Sequence, residues 1–192
     1  MPAPNPAAMD FLLTRRSRPA KTLTAPVPDR PALDQILTAA ARTPDHGKLE
    51  PWRFVVLTDA ALTRLAVLAQ SRGADLDMPQ DKIDKAYTQF ATADLAVAVI
   101  ASPVDSEKVP QVEQLYSAGA VCLSLLNAAL AAGWGANWLS GWASHDRAFV
   151  TSGLGLSHHE VVAGFIHIGT EKSAPPERPR PDLNRITTWM DQ

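Results

Sequence analysis

The chain has 192 residues, 46% of them hydrophobic and 20% charged, a length and balance that suit one soluble domain needing neither disulfides nor a structural metal. A net charge of −2 leaves no electrostatic footprint for nucleic acid or an anionic membrane surface. The single cysteine, Cys122, excludes an internal disulfide framework and suits a reducing cytoplasm, and Met1 to Asp10 shows no secretion signal.

In chain order, Met9, Leu12 and Leu13 sit at helical spacing, in a helix that runs into Arg15-Arg16-Ser17-Arg18 and stops at Pro19. An extended, proline-bearing piece follows to Pro28. Asp29 then reads as an N-cap with Pro31 in the first turn, and Leu33, Ile36, Leu37 and Ala40 repeat with helical period. The stretch Arg42 to Phe54, with Pro44, Gly47 and Pro51, connects this helix to a strand over Trp52 to Thr58. That strand is nearly all apolar and is therefore expected to be covered on both faces.

Asp59 reads as the cap of a helix carrying Leu62, Leu65 and Leu68 on one side. Ser71 to Pro79 reads as irregular. Pro79 to Ala93 holds a short helix with Ile83, Tyr87 and Phe90 on one face, and Leu95 to Ala101 is a second buried strand. A loop with two prolines leads to a long helix from about Gln111 to Ala132, ended by Gly133. Leu115 to Ala143 lacks any charge and is long enough to span a bilayer. Its wealth of Ala, Gly and Ser, with Asn127 and Asn137, reads instead as a buried central helix followed by a strand over Trp134 to Leu139. Ser144 caps a helix through Phe149, closed by Gly153, and Val161 to Gly169 is a fourth strand. Prolines at 175, 176, 179 and 181 prevent regular structure over Ser173 to Pro181, and a final short amphipathic segment with Leu183, Ile186, Trp189 and Met190 must dock on something. The pattern is a mixed α/β layer structure with helices outnumbering strands.

Several standard sites are absent. The histidines at 46, 145, 158, 159 and 167 have no metalloprotease spacing, there is no Cys pair for zinc, and no nucleophile elbow, Walker loop or dinucleotide fingerprint appears. No metal site is expected. His158-His159 reads as a solvated turn and His167 as a hydrogen-bonded core histidine. Enzymatic chemistry on this chain would have to come from a cofactor.

Two basic clusters remain. Arg15-Arg16-Ser17-Arg18 could clamp a phosphate bidentately, although arginines at a helix end also satisfy its dipole and terminal carbonyls. Arg42 to Phe54 is a compact turn-rich connection that could equally be a solvated helix-to-strand loop.

Those two clusters, with Glu50-Pro51-Trp52-Arg53-Phe54, Gly135-Ala136-Asn137-Trp138-Leu139-Ser140-Gly141 and Val161 to Gly169, occur in an order that resembles the nitroreductase family, in particular its short bacterial NAD(P)H nitroreductase branch. The resemblance covers roughly Phe11 to Gly169. It implies an α/β (α+β) three-layer sandwich with a central, mainly antiparallel sheet flanked by helices, in a single domain over 1–192 with a proline-rich extension from about 170. It also implies an FMN-dependent homodimer with flavin at the subunit interface, NAD(P)H as electron donor and a small electron-poor acceptor such as a nitroaromatic or quinone. Arg15, Arg16 and Ser17 would bind the flavin phosphate and ribityl chain or ring edge, and Arg42 and His46 would reach the same flavin from the partner subunit. Trp138, Leu139 and Ser140 would lie beside the ring. Arg178 and Arg180 could close the phosphate site or belong to a solvated tail.

The small-residue run Ala128, Ala129, Leu130, Ala131, Ala132 and Gly133 could admit the nicotinamide or simply pack, and Tyr87 and Phe90 could stack on a substrate or fill the core. Against the family pattern, Glu50 stands where Gln is common, Asp45-His46 replaces Ser and Asn, and Leu139 is apolar where relatives can be basic. A flavin-binding or delivery protein without turnover, and a dedicated flavin dehydrogenase or dehalogenase on the same scaffold, stay open as alternatives.

Overall fold

The structure, a computed structural model, describes residues 3–190. Five strands form one sheet, all pairs antiparallel: β1 (Leu23–Thr24), β2 (Trp52–Thr58), β3 (Leu95–Ala101), β4 (Gly135–Leu139) and β5 (Val161–Glu171). The path runs β1-β5-β3-β2, and β4 also pairs with β5, so β5 touches three other strands. Among the described residues eight α-helices accompany it: α1 (Pro6–Thr14), α2 (Arg30–Ala40), α3 (Asp59–Asp75), α4 (Gln80–Ala91), α5 (Gln111–Ala131), α6 (Trp142–His145), α7 (Arg147–Leu154) and α8 (Leu183–Ile186).

Strand period two divides the interior into two cores. On β3, Ala96, Ala98 and Ile100 face a core shared with α3, α4 and α7, while Leu95, Val97 and Val99 face a second core built with α2 and α5. On β5, Phe165 belongs to the first and Ile166 and Ile168 to the second. The result is helices, sheet, helices: three layers, as expected. Phe90 lies in the first core, edge-on to Phe165 at 5.2 Å, so it packs the interior and cannot meet a ligand. Tyr87, on the same helix, stays exposed.

Local chemistry explains most boundaries. Asp29 caps α2 by accepting a hydrogen bond from the Ala32 amide at 2.9 Å, with Pro31 in the first turn. Burial on α5 runs from Gln114 through Ala129, and the helix packs on α2 and the sheet rather than meeting solvent all round. Other expectations need correction. The strand over Trp52 to Thr58 forms as read, but only Leu57 is fully buried, Trp52 to Val55 are partly covered and Val56 is exposed, because β2 is the sheet edge and pairs only with β3. Ser71 is not in a loop, since α3 continues to Asp75. Thr58, not Asp59, precedes α3, and Asp146 rather than Ser144 caps α7 through the Phe149 amide. Gly155, at φ 68°, closes α7 in the left-handed conformation that glycine adopts without strain. Gly153 lies inside that helix.

His167 is buried in β5, but its Nε2 has no hydrogen-bond partner, contrary to expectation. Burial pushes its imidazole down to about 4, so it is neutral in the folded protein. His158 and His159 are exposed in the turn before β5, as read.

Candidate functional site: a cation cluster pinned to a strand

α1 ends at Thr14 rather than at Pro19, and the segment Arg15 to Arg18 leaves it in non-helical geometry, Arg15 adopting φ −53° and ψ 141°. Three bonds hold it. The Arg18 amide donates to the Ala136 carbonyl at 2.8 Å, Asn137 Nδ2 donates to the Arg18 carbonyl at 2.6 Å, and the Arg18 guanidinium pairs with Glu171 at 2.6 Å. The basic segment is thereby fastened to the start of β4 and the end of β5. Asn137 and Glu171 carry this attachment; the sequence marks Asn137 only as an amide within an apolar run and a family motif, and gives Glu171 no role. A lone amide side chain inside the apolar strand Gly135–Leu139 was the available signal.

Arg18 is thus committed to an internal ion pair, but Arg15 and Arg16 are not. Both are half-buried, and their Nε–H groups are enclosed without any hydrogen-bond partner. Arg15 bonds Ser17 Oγ at 2.9 Å, and Arg16 bonds the Ser17 carbonyl at 3.3 Å. Burial, then repulsion from Arg180 and Arg16, lowers the proton affinity of the Arg15 guanidinium. That repulsion brings Arg180 of the tail into the same electrostatic neighbourhood. Two carboxylates border the cluster: Glu171, spent on Arg18, and Glu177, which pairs with Arg180 at 2.8 Å. Arg178 is exposed and donates its amide to Glu177. Guanidiniums pressed together with orphaned donors describe a place for an anion with several acceptor oxygens.

Arg15, Arg16 and Arg18 line a hollow of about 300 Å³ with Phe11, Trp134, the C-terminal end of α5 and Glu171, the partner of Arg18. Leu130 and Gly133 reach this hollow; Ala129 is wholly buried in the core, Ala128 is partly covered, and Ala131 and Ala132 are exposed. Further along β4, Trp138 lies over Gly164 so closely that a methyl group there would overlap its indole, yet the residue remains 39% exposed. Leu139 is half-buried and Ser140 exposed, its hydroxyl 3.4 Å from His145 Nε2.

The second basic cluster lies elsewhere in the chain. His46 is exposed and pairs with Glu113 at 2.7 Å across an open hollow of about 500 Å³ that Tyr116 also lines. Arg42 is exposed at the end of α2. The loop is held in an uncommon shape: Gly47, Lys48 and Glu50 all have positive φ, at 76°, 54° and 48°, and Asp45 accepts from the Glu50 amide at 3.0 Å. Within one chain, His46 and the Arg15–Arg16 pair line separate hollows.

The nitroreductase family model matches residues 12–170. A Haemophilus influenzae protein provisionally named NAD(P)H nitroreductase is 35% identical over 165 residues, 85% of this chain and 88% of its own length. Among solved structures, a nitroreductase-like family protein from Bacillus cereus superposes with a TM-score of 0.80 at 19% identity, covering 100% of both chains. A provisionally assigned nitroreductase from Desulfovibrio desulfuricans, crystallised in complex with FMN, gives a TM-score of 0.74 at 22% identity, covering 98% of each chain. With its antiparallel sheet, its flanking helices and its ordered motifs, this chain belongs to the nitroreductase family.

Proposed function

We propose that the chain is a cytoplasmic FMN-dependent NAD(P)H oxidoreductase that works as a homodimer and reduces an electron-poor acceptor such as a nitroaromatic or quinone. The observation that carries this reading is the pair of enclosed, unpartnered Nε–H groups on Arg15 and Arg16 beside Arg180. An FMN phosphate would satisfy those donors and relieve the mutual repulsion. Ser17 would contribute its hydroxyl. Because Arg18 and Asn137 fasten this segment to β4, the phosphate clamp and the ring-side residues Trp138, Leu139 and Ser140 form one rigid unit.

FMN supplies the two-electron carrier; the protein supplies binding, orientation and exclusion of water. With a nitroaromatic the overall change balances as NAD(P)H + H⁺ + ArNO₂ → NAD(P)⁺ + ArNO + H₂O. Arg42 and His46 are assigned to the partner's flavin, which fits their position away from Arg15 and Arg16 in a single chain.

The dimer is supported by apolar side chains left in water. Met9, Leu12 and Leu13 on α1, Leu115, Tyr116 and Leu123 on α5, and Leu183, Ile186, Trp189 and Met190 in the tail are exposed, Trp189 to 82%. Their grouping along α1, α5 and the tail supports burial of these side chains against a second copy.

Purified protein is expected to be yellow and to bleach anaerobically on addition of NADH or NADPH. Arg15→Ala is expected to weaken FMN binding roughly 10- to 100-fold, the range for losing one charge-assisted contact, with the far-ultraviolet spectrum unchanged. Protein that cannot be loaded with FMN, or Arg15→Ala with undiminished affinity, would overturn the assignment.

A further inference from the structure

A separate hollow of about 410 Å³ opens between α4 and the turn leaving β4. Met78, Ala86 and Trp142 give it apolar walls, and Ser140 stands on its rim. Trp142 is fixed on two sides: its Nε1 donates to the Lys82 carbonyl at 3.2 Å, and its ring meets Phe149 edge-on at 6.3 Å. The wall is therefore anchored both to the core and to the helix that faces it.

The charge of this hollow is one-sided. Lys82 and Lys85, one helical turn apart on α4, both line it, and no Asp or Glu does. Among the described residues neither ammonium group has a carboxylate within ion-pair distance. Asp84, between them in sequence, is engaged by Gln80 Nε2 at 2.8 Å. In a chain of net charge −2, two uncompensated cations over an apolar cleft form a local preference for an anion with a flat apolar body.

We infer that this hollow receives the oxidised acceptor and selects electron-poor aromatic rings bearing a carboxylate or sulfonate. The inference rests on the proposed position of FMN beside Ser140, which is shared between the two sites. The ring would lie against Trp142 and Met78, and the anionic group would face Lys82 and Lys85. The volume lies toward the lower end for ligand pockets, suiting a compact aromatic acceptor rather than a whole nicotinamide dinucleotide. The electrons come from NAD(P)H in the balanced reaction given above, and the anionic substituent is unchanged by it.

The test compares 4-nitrobenzoate with 4-nitrobenzamide, which differ in charge at one end of the same ring. In FMN-loaded wild type, the ratio of kcat/KM for the carboxylate over the amide is expected to be about 10 at low salt and to shrink as ionic strength rises. In Lys82→Gln/Lys85→Gln the ratio is expected to fall to about 1, and Lys82→Arg/Lys85→Arg should restore most of it. Calorimetric titration of both compounds into oxidised protein without NAD(P)H reads the same preference as binding.

A wild-type ratio near 1, or a ratio unmoved by the double Gln variant, overturns the inference. So does a loss confined to kcat/KM for NADPH, which would assign the lysines to the donor's phosphates. Failure of the protein to take up FMN would instead sink the proposed function, and the titration would still report whether the hollow prefers the carboxylate.

Discussion

Arg53 and Glu160 show how a single pair can serve the fold beside a site without belonging to it. The guanidinium meets the carboxylate with two bonds of 2.6 and 2.9 Å, and the Ser157 amide adds a third at 2.9 Å. Hydrogen bonding from Arg53 is the main reason the Glu160 carboxyl falls to about 2. Glu160 is almost enclosed, whereas Arg53 keeps 41% of its side chain in water. Arg53→Gln is therefore expected to cost about 2 kcal/mol in urea unfolding, less than a wholly buried pair would. No change in the midpoint would show that the pair is merely a surface contact. Arg53 was visible in the sequence only as part of a motif; Glu160, 107 positions later, could not be matched to it by local pattern.

At the scale of elements, β4 and β5 decide the geometry of the site. Trp138 can lie where it does only because position 164 has no side chain. Gly164→Ala is expected to displace the indole, to destabilise the fold by about 1–3 kcal/mol, and to lower FMN affinity while leaving Arg15 and Arg16 in place. Unchanged tryptophan fluorescence together with unchanged FMN affinity would mean that the ring does not border the cofactor. The strand Gly135–Leu139 was legible from its apolar run, and its motif from resemblance. The contact with Gly164 was not, because it depends on the register Trp138↔Ile166 across two strands. Similarly, β2 has the composition of a buried strand but sits at an edge, since strand order is a property of the sheet and not of any one segment.

The molecule as a whole responds to acid through His167. The unfolded imidazole takes a proton near pH 6.5, while the buried one resists until about 4, so the unfolded state binds more protons between those values. Stability is accordingly greatest above that window and is lost as pH falls through it, by about 2 kcal/mol between about pH 7 and about pH 5. Glu160 acts lower: its depressed carboxyl stabilises the fold above its ordinary 4.5, and that contribution disappears as pH falls toward about 2. Urea unfolding of His167→Leu should show most of the loss between pH 7 and 5 abolished. An undiminished loss would place its origin in another group. Removal of residues 173–192 tests assembly: sedimentation is expected to show a weaker dimer, and FMN affinity should fall with the loss of Arg180.

Apolar periodicity alone located α2, β2, β3, α5 and most of β5, because one turn or one pleat is enough to express which side of a segment avoids water. The same local reading exposed Arg15 to Arg18 as a dense run of cations, and resemblance supplied a reason for them. Whether those cations were free or spent was decided by folding. Arg18 found Glu171 across the sheet, Arg15 and Arg16 found no acceptor for their Nε–H groups, and Arg180 arrived from the far end of the chain. Which charges are neutralised depends on distances between residues far apart in sequence, and only the packed sheet sets those distances.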